Sequence, residues 1–171
     1  VEANEYALAT DGTLTETLKR SAATQLGNLP TPVTSRNIVI GTSTGAVDFS
    51  PATTFSFLTA DEVRYLRGDR SREGQAKDGS ITWRKRSALL GDVVNSGVVY
   101  SGAPSRQITG DGYKDFYDDN KSRTSAVFVG ANDGMLHAFN ASTGDELFAF
   151  IPQTMAPKLA SLTQSTYTSG H

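Results

Sequence analysis

Three groups of side chains in this sequence have types and spacings that suggest chemistry. Arg67-Gly68-Asp69 is a tripeptide of the kind integrins recognise. An adhesive copy sits at the tip of an exposed loop with its two charges splayed apart. Gly68, however, stands where a helix beginning near residue 59 would end, and glycine takes the left-handed cap conformation without strain. Arg67 would then be drawn to the last helical carbonyls. The reading as a helix end is favoured over the adhesive one. The second group is Asp111, Asp115, Asp118 and Asp119, with Asn120 beside them. These are hard oxygen donors of the kind Ca²⁺ takes. Their spacing lacks the alternate-position pattern of a calcium loop, so a solvated acidic loop is the favoured reading. The third is a run of basic residues between Arg64 and Arg86, diluted by Asp61, Glu62, Asp69, Glu73 and Asp78 and without interleaved aromatics. It reads as salt-bridged surface and not as a phosphate or nucleic-acid patch. His137 and His171 have no paired carboxylate evident around them, and Ser142 and Ser169 have no neighbouring base. Neither a metal site nor an acid–base dyad is expected from them.

The elements that must position these groups are mostly strands. Val127–Ala131, Met135–Phe139 and Glu146–Ile151 are apolar runs separated by Asn132-Asp133-Gly134 and by Asn140–Gly144. Asp-Gly supplies the positive φ of a tight hairpin turn, so the three runs predict an antiparallel meander. A meander this small cannot hide both faces and must pack on similar units. Glu5–Ala9, Arg36–Gly41, Ile81–Arg84 and Gly97–Ser101 read as further strands. Thr59 and Glu62 form a capping box that predicts one short helix over 59–66. Leu14, Leu18, Ala22 and Leu26 recur every four residues and predict a second helix over 13–26. Asp69–Ser80 and Gly102–Arg123 read as loops, and Thr154–Ser161 as a short helix.

Composition agrees with a β-rich domain. The chain has 171 residues, 37% of them hydrophobic, with 16 glycines. Its formal net charge of −2 gives no global pull toward nucleic acid or an anionic membrane. It has no cysteine, which excludes a disulfide framework, a thiol nucleophile and a thiolate metal site. No apolar run reaches the length of a transmembrane helix. Val1–Asn4 reads as the middle of a domain, and the sequence is expected to be a segment of a longer protein.

The wording Val129-Gly130-Ala131-Asn132-Asp133-Gly134-Met135-Leu136-His137-Ala138-Phe139 resembles the PilC/PilY family of type IV pilus-associated proteins. Tyr65–Arg70 is similar to that family's Leu-Arg-Gly-Asp-Arg segment. Arg84–Ser87 and Leu90–Ser96 are similar to its Arg-x-Arg-Ser and Leu-Gly-Asp-Ile-Val-Asn-Ser segments, departing at Gly97. The resemblance is good over 60–151 and weak over 1–50. It implies an all-β fold, part of a quinoprotein-like β-propeller, with residues 1–171 inside one propeller domain and the clearest blade at 124–151. It implies a non-enzymatic, extracellular protein at the pilus tip or outer membrane, with minor pilins and a host-cell receptor as partners. Pilus assembly, twitching motility and adhesion would be its roles. The family's link to integrins and to calcium lends interest to Arg67–Asp69 and to the acidic loop. No cofactor is expected in this segment, though calcium is possible in the parent. The rival readings are a propeller piece of a pyrroloquinoline-quinone dehydrogenase and a scaffold blade with no ligand. The dehydrogenase repeat carries a tryptophan where this chain has Phe148.

Overall fold

The computed structural model describes residues 2–168. The chain opens with an antiparallel hairpin, β1 (Glu2–Leu8) and β2 (Leu14–Ser21). Its turn is set by Gly12 at φ +84° and by Asp11, whose side chain accepts the Thr13 amide at 2.9 Å. This corrects the helix expected over 13–26. Only α1 (Ala22–Gly27) is helical. The four-residue leucine spacing is overridden by the Asp-Gly turn and by the β-branched residues Thr13, Thr15 and Thr17, which favour an extended backbone.

Next come α2 (Pro32–Ser35), β3 (Ile38–Thr42) and β4 (Gly45–Asp48). Pro32 is at the helix start, where its missing N–H costs no bond. The capping-box helix is α3 (Ala60–Arg67): Glu62 N donates to Thr59 Oγ1 at 3.3 Å and Thr59 N donates to Glu62 Oε2 at 2.8 Å. The stretch read as loop after it contains β5 (Ala76–Asp78), which pairs with β6 (Ile81–Thr82) inside the strand expected over 81–84. β7 (Val99–Ser101) follows, then α4 (Tyr113–Asn120) inside the stretch also read as loop.

The expected meander is β8 (Ala126–Gly130), β9 (Leu136–Asn140) and β10 (Glu146–Ile151). With β7 it makes four consecutive antiparallel strands, the topology of a propeller blade. β3 pairs with β10 in parallel and carries β4 on its far side, so the sheet order is β4-β3-β10-β9-β8-β7. A 3₁₀ turn (Gln153–Lys158) and α5 (Leu159–Leu162) close the described chain. The fold is thus mainly antiparallel β, with short helices against one side.

The main core lies between the β3–β10 part of the sheet and the helices. Ile38, Ile40, Ala149 and Ile151 from the strands meet Val63, Tyr65, Trp83, Leu159 and Leu162. Burying a side chain of this size stabilises by about 1.5–3 kcal/mol. Their alternation along β3 and β10 therefore fixes which face of the sheet the helices cover. A second, smaller cluster of Ala22, Val129 and Phe139 occupies another part of the fold.

A buried ionic cluster as the candidate functional site

The chemistry that the fold assembles is centred on the turn between β8 and β9. Gly134 takes φ +87° there and its amide donates to Ala131 O at 3.1 Å. This leaves Asp133 pointing back over the turn. Its Oδ1 accepts the Met135 amide at 3.1 Å, and its Oδ2 accepts the Gly91 amide at 3.0 Å. His137, on β9, is fully buried. Its Nε2 lies 3.0 Å from Asp133 Oδ2, and its Nδ1 lies 2.8 Å from Glu146 Oε1 at the head of β10. The imidazole stacks on Phe139, two residues on, with ring planes 9° apart. Glu146 is in turn held by Arg36, whose Nε and Nη2 donate to its two oxygens at 2.6 and 2.8 Å. That two-point geometry is the strongest arrangement available to an arginine and a carboxylate.

An imidazole with a carboxylate on each nitrogen donates twice only when it is protonated. Burial opposes that charge, but the bonds to Asp133 and Glu146 outweigh it and raise the His137 pKa to about 9. Burial likewise opposes ionised Glu146, yet Arg36 and His137 hold its pKa down at about 2. Asp133 is lowered for the same reason, against its own burial, by His137 and the Gly91 amide. The absence of a carboxylate expected around His137 is therefore overturned: two flank it. The arrangement does not read as acid–base chemistry. Both ring nitrogens and both Asp133 oxygens are engaged, and the described residues place no hydroxyl on the imidazole. What it does is tie the β8–β9 turn, the start of β10 and the chain before β3 into one unit.

Arg67 lies beside this cluster and is 4% exposed. Its Nε and Nη1 donate to the carbonyls of Val33 and Phe49, each at 2.5 Å, and its Nη2 donates to the carbonyl of Arg36. Arg36 Nη1 returns a bond to the carbonyl of Arg67 at 3.1 Å. Gly68 caps α3 at φ +124°, and a Cβ there would come 2.8 Å from Pro32 Cβ. Asp69 accepts the Ser71 amide at 2.8 Å, and the Asp69 pKa is lowered by that contact against partial burial. Arg67-Gly68-Asp69 is thus a helix end whose arginine is enclosed. Its carbonyl partners come from other segments and not from the last turn of its own helix.

The acidic stretch is not a loop. Asp111 precedes α4, and Asp115, Asp118 and Asp119 are on it, exposed. Asp118 takes Lys114 at 2.8 Å and Lys121 at 3.0 Å, and these two lysines hold its pKa down at about 2. Among the described residues no three acidic, histidine or cysteine side chains converge as a metal would require. The basic run pairs off with its acidic neighbours: Arg72 with Asp61, Lys77 with Glu62, and Arg86 with Glu73. The last pair is buried, and the Arg86 guanidinium lies 3.7 Å over the Tyr65 ring. Ser142 makes only a local turn bond, its amide to Asn140 Oδ1 at 2.8 Å. Ser169 and His171 lie outside the described residues.

Residues 90–168 match the family model described as the PilY1 beta-propeller domain. That stretch is similar to the PilY1 propeller family. The chain is also similar to a type IV pilus biogenesis factor PilY1 homolog of Xylella fastidiosa, at 44% identity over 126 residues, covering 70% of this chain and 10% of the relative. It is similar to the type IV pilus biogenesis factor PilY1 of Pseudomonas aeruginosa strain PAK at 41% identity over 117 residues, 64% of this chain and 10% of the relative. The strain PAO1 counterpart is 40% identical over 117 residues, with the same coverage. The chain therefore spans about a tenth of the length of these curated relatives. No solved structure matches it.

The blade was legible in the sequence, but its buried charges were not. Asp133 was visible only as a turn residue, and Glu146 only as the first residue of an apolar strand. The available signal was the pairing of β9 with β10, which sets Glu146 opposite Phe139 and brings it near His137. Arg36 carried no such signal, because its partner is 110 residues away.

Proposed function

We propose that this chain is a propeller segment of a type IV pilus biogenesis protein, acting by binding and not by catalysis. The observation that carries the reading is the PilY1 propeller match over 90–168, together with relatives at 40–44% identity whose names state that role. The charged cluster supports a non-catalytic part, since both His137 nitrogens and all four oxygens of Asp133 and Glu146 are spent on holding strands together. The extracellular setting at the pilus tip or outer membrane, the minor pilins as partners, and roles in twitching motility and adhesion belong to the same proposal. The adhesive use of Arg67-Gly68-Asp69 does not, because Arg67 is turned inward. Loops and exposed strand residues, such as Val98, Val99 and Tyr100, are better placed to meet partners.

The test is retention of the segment, in its full-length parent, by sheared pili and isolated minor pilins. Retention by the pilus fraction is expected. A folded preparation that passes through unretained would overturn the reading. If that preparation also gained dehydrogenase activity with pyrroloquinoline quinone and Ca²⁺, the rival enzyme would replace it.

A further inference from the structure

The buried charges beside the blade do not balance. Three cationic heads, Arg36, Arg67 and protonated His137, face two carboxylates, Glu146 and Asp133. Arg36 and His137 are directly paired with those carboxylates. Arg67 bonds to neutral carbonyls only. Among the described residues no carboxylate comes within ion-pair distance of it; Asp48 and Glu146 attract it through space, and Arg36 repels it. A guanidinium carries five N–H groups, and three of Arg67's are accounted for. An enclosed cation without a counter-ion is costly.

Arg67 is also not sealed off. It lines an open hollow of about 650 Å³, together with Arg36, Arg64, Thr34, Ser50 and Asp48. Arg36 is held by Glu146 and Arg64 Nη1 lies 3.6 Å from Asp61, so Arg67 and Asp48 are the charges on the hollow with no ion pair among the described residues. Ser50 Oγ accepts the Ala52 amide at 3.3 Å, so its own hydrogen is free to donate. We propose that this hollow is a carboxylate-binding site, with Arg67 at its floor, Arg64 at its rim and Ser50 as a further donor. A carboxylate brings one negative charge, the least an anionic ligand adds beside Asp48. A phosphate brings about 1.5–2 charges, which Asp48 on the same wall opposes. The carboxylate comes either from a small organic acid or from an acidic side chain on a partner segment. The site is independent of the pilus reading and stands or falls without it.

The chain is melted at pH 7 in sodium acetate and in sodium chloride at equal ionic strength. It is also melted with a capped Gly-Asp-Gly peptide, whose only carboxylate is a side chain. A melting temperature that rises with acetate and saturates, beyond any rise in chloride, is the expected result. Arg64→Ala is expected to weaken the apparent acetate affinity about tenfold, the scale of one charged hydrogen bond, with its melting temperature in chloride unchanged. Asp48→Asn is expected to strengthen the affinity. Peptide binding well above acetate assigns the site to a partner segment, and equal binding assigns it to free acids. The proposal is overturned if acetate and chloride act alike. It is also overturned if Asp48→Asn lowers the melting temperature and acetate does not restore it, which would make Asp48 the counter-ion of Arg67.

Discussion

Two aspartates of this protein, both in stretches rich in polar residues, end in opposite environments. Asp133, in Asn132-Asp133-Gly134, is folded back onto His137 and the Gly91 amide within a buried cluster. Asp118, in the richer acidic stretch 111–119, stays at the surface between two lysines. By composition the acidic stretch is the more obvious candidate. By burial only Asp133 has energetic weight, because a charge removed from water must find partners or destabilise the fold, whereas an exposed one is solvated either way. The density of acidic residues says little about where electrostatics matter. Distance from water says more.

Glu146→Ala is expected to have the largest effect. It strands Arg36 and His137 without their shared carboxylate, and such breaks cost about 3–5 kcal/mol. A fall of that order in the unfolding free energy from urea titration checks it, and a small fall would collapse the contrast. Gly91→Ala comes next. A Cβ there would sit 2.4 Å from the Asp133 amide nitrogen, and forced overpacking of this kind costs about 1–3 kcal/mol. Thermal melting of that variant reads it out.

The pH profile sharpens the comparison further. His137 has its pKa raised from 6.5 to about 9, so its contribution is complete below pH 6.5 and is lost as pH rises through about 9. Glu146 has its pKa lowered from 4.5 to about 2, so its contribution is complete above pH 4.5 and is lost as pH falls through about 2. The melting temperature should be flat between pH 4.5 and 6.5 from these two groups and decline on either side. In His137→Gln the alkaline decline should shrink. The smallest effect belongs to the acidic helix. Asp118→Asn should leave the melting temperature unchanged, and so should EDTA in place of added Ca²⁺. A fall in either would return the acidic stretch to the status of a metal site.

The meander, its two turns and the capping-box helix were legible because each rests on local rules: strand alternation, an Asp-Gly turn, and a Thr-x-x-Glu cap. The strand over Leu14–Ser21 was misread because leucine spacing and turn chemistry gave opposite answers, and pairing with β1 decided between them. The helix over Tyr113–Asn120 was missed although Tyr113, Phe116 and Tyr117 recur at helical spacing, because the three aspartates among its eight residues read as a solvated loop; no residue of α4 is buried. The ionic cluster was hidden for a different reason. His137 and Glu146 are nine residues apart on neighbouring strands, and Arg36 reaches them across a parallel pairing that nothing in the local sequence announces.

That parallel pairing also sets an order of events during synthesis. β3 and Arg36 leave the ribosome long before β10, and 110 residues separate Arg36 from Glu146. At about 5–20 residues per second the wait is roughly 5–20 s. Through that interval the nascent chain holds Arg36 with no carboxylate to close upon and a strand with one side unpaired. The blade's last strand is therefore the piece that latches the first half of the chain, and any ribosomal pause placed before it prolongs the time the protein spends unlatched.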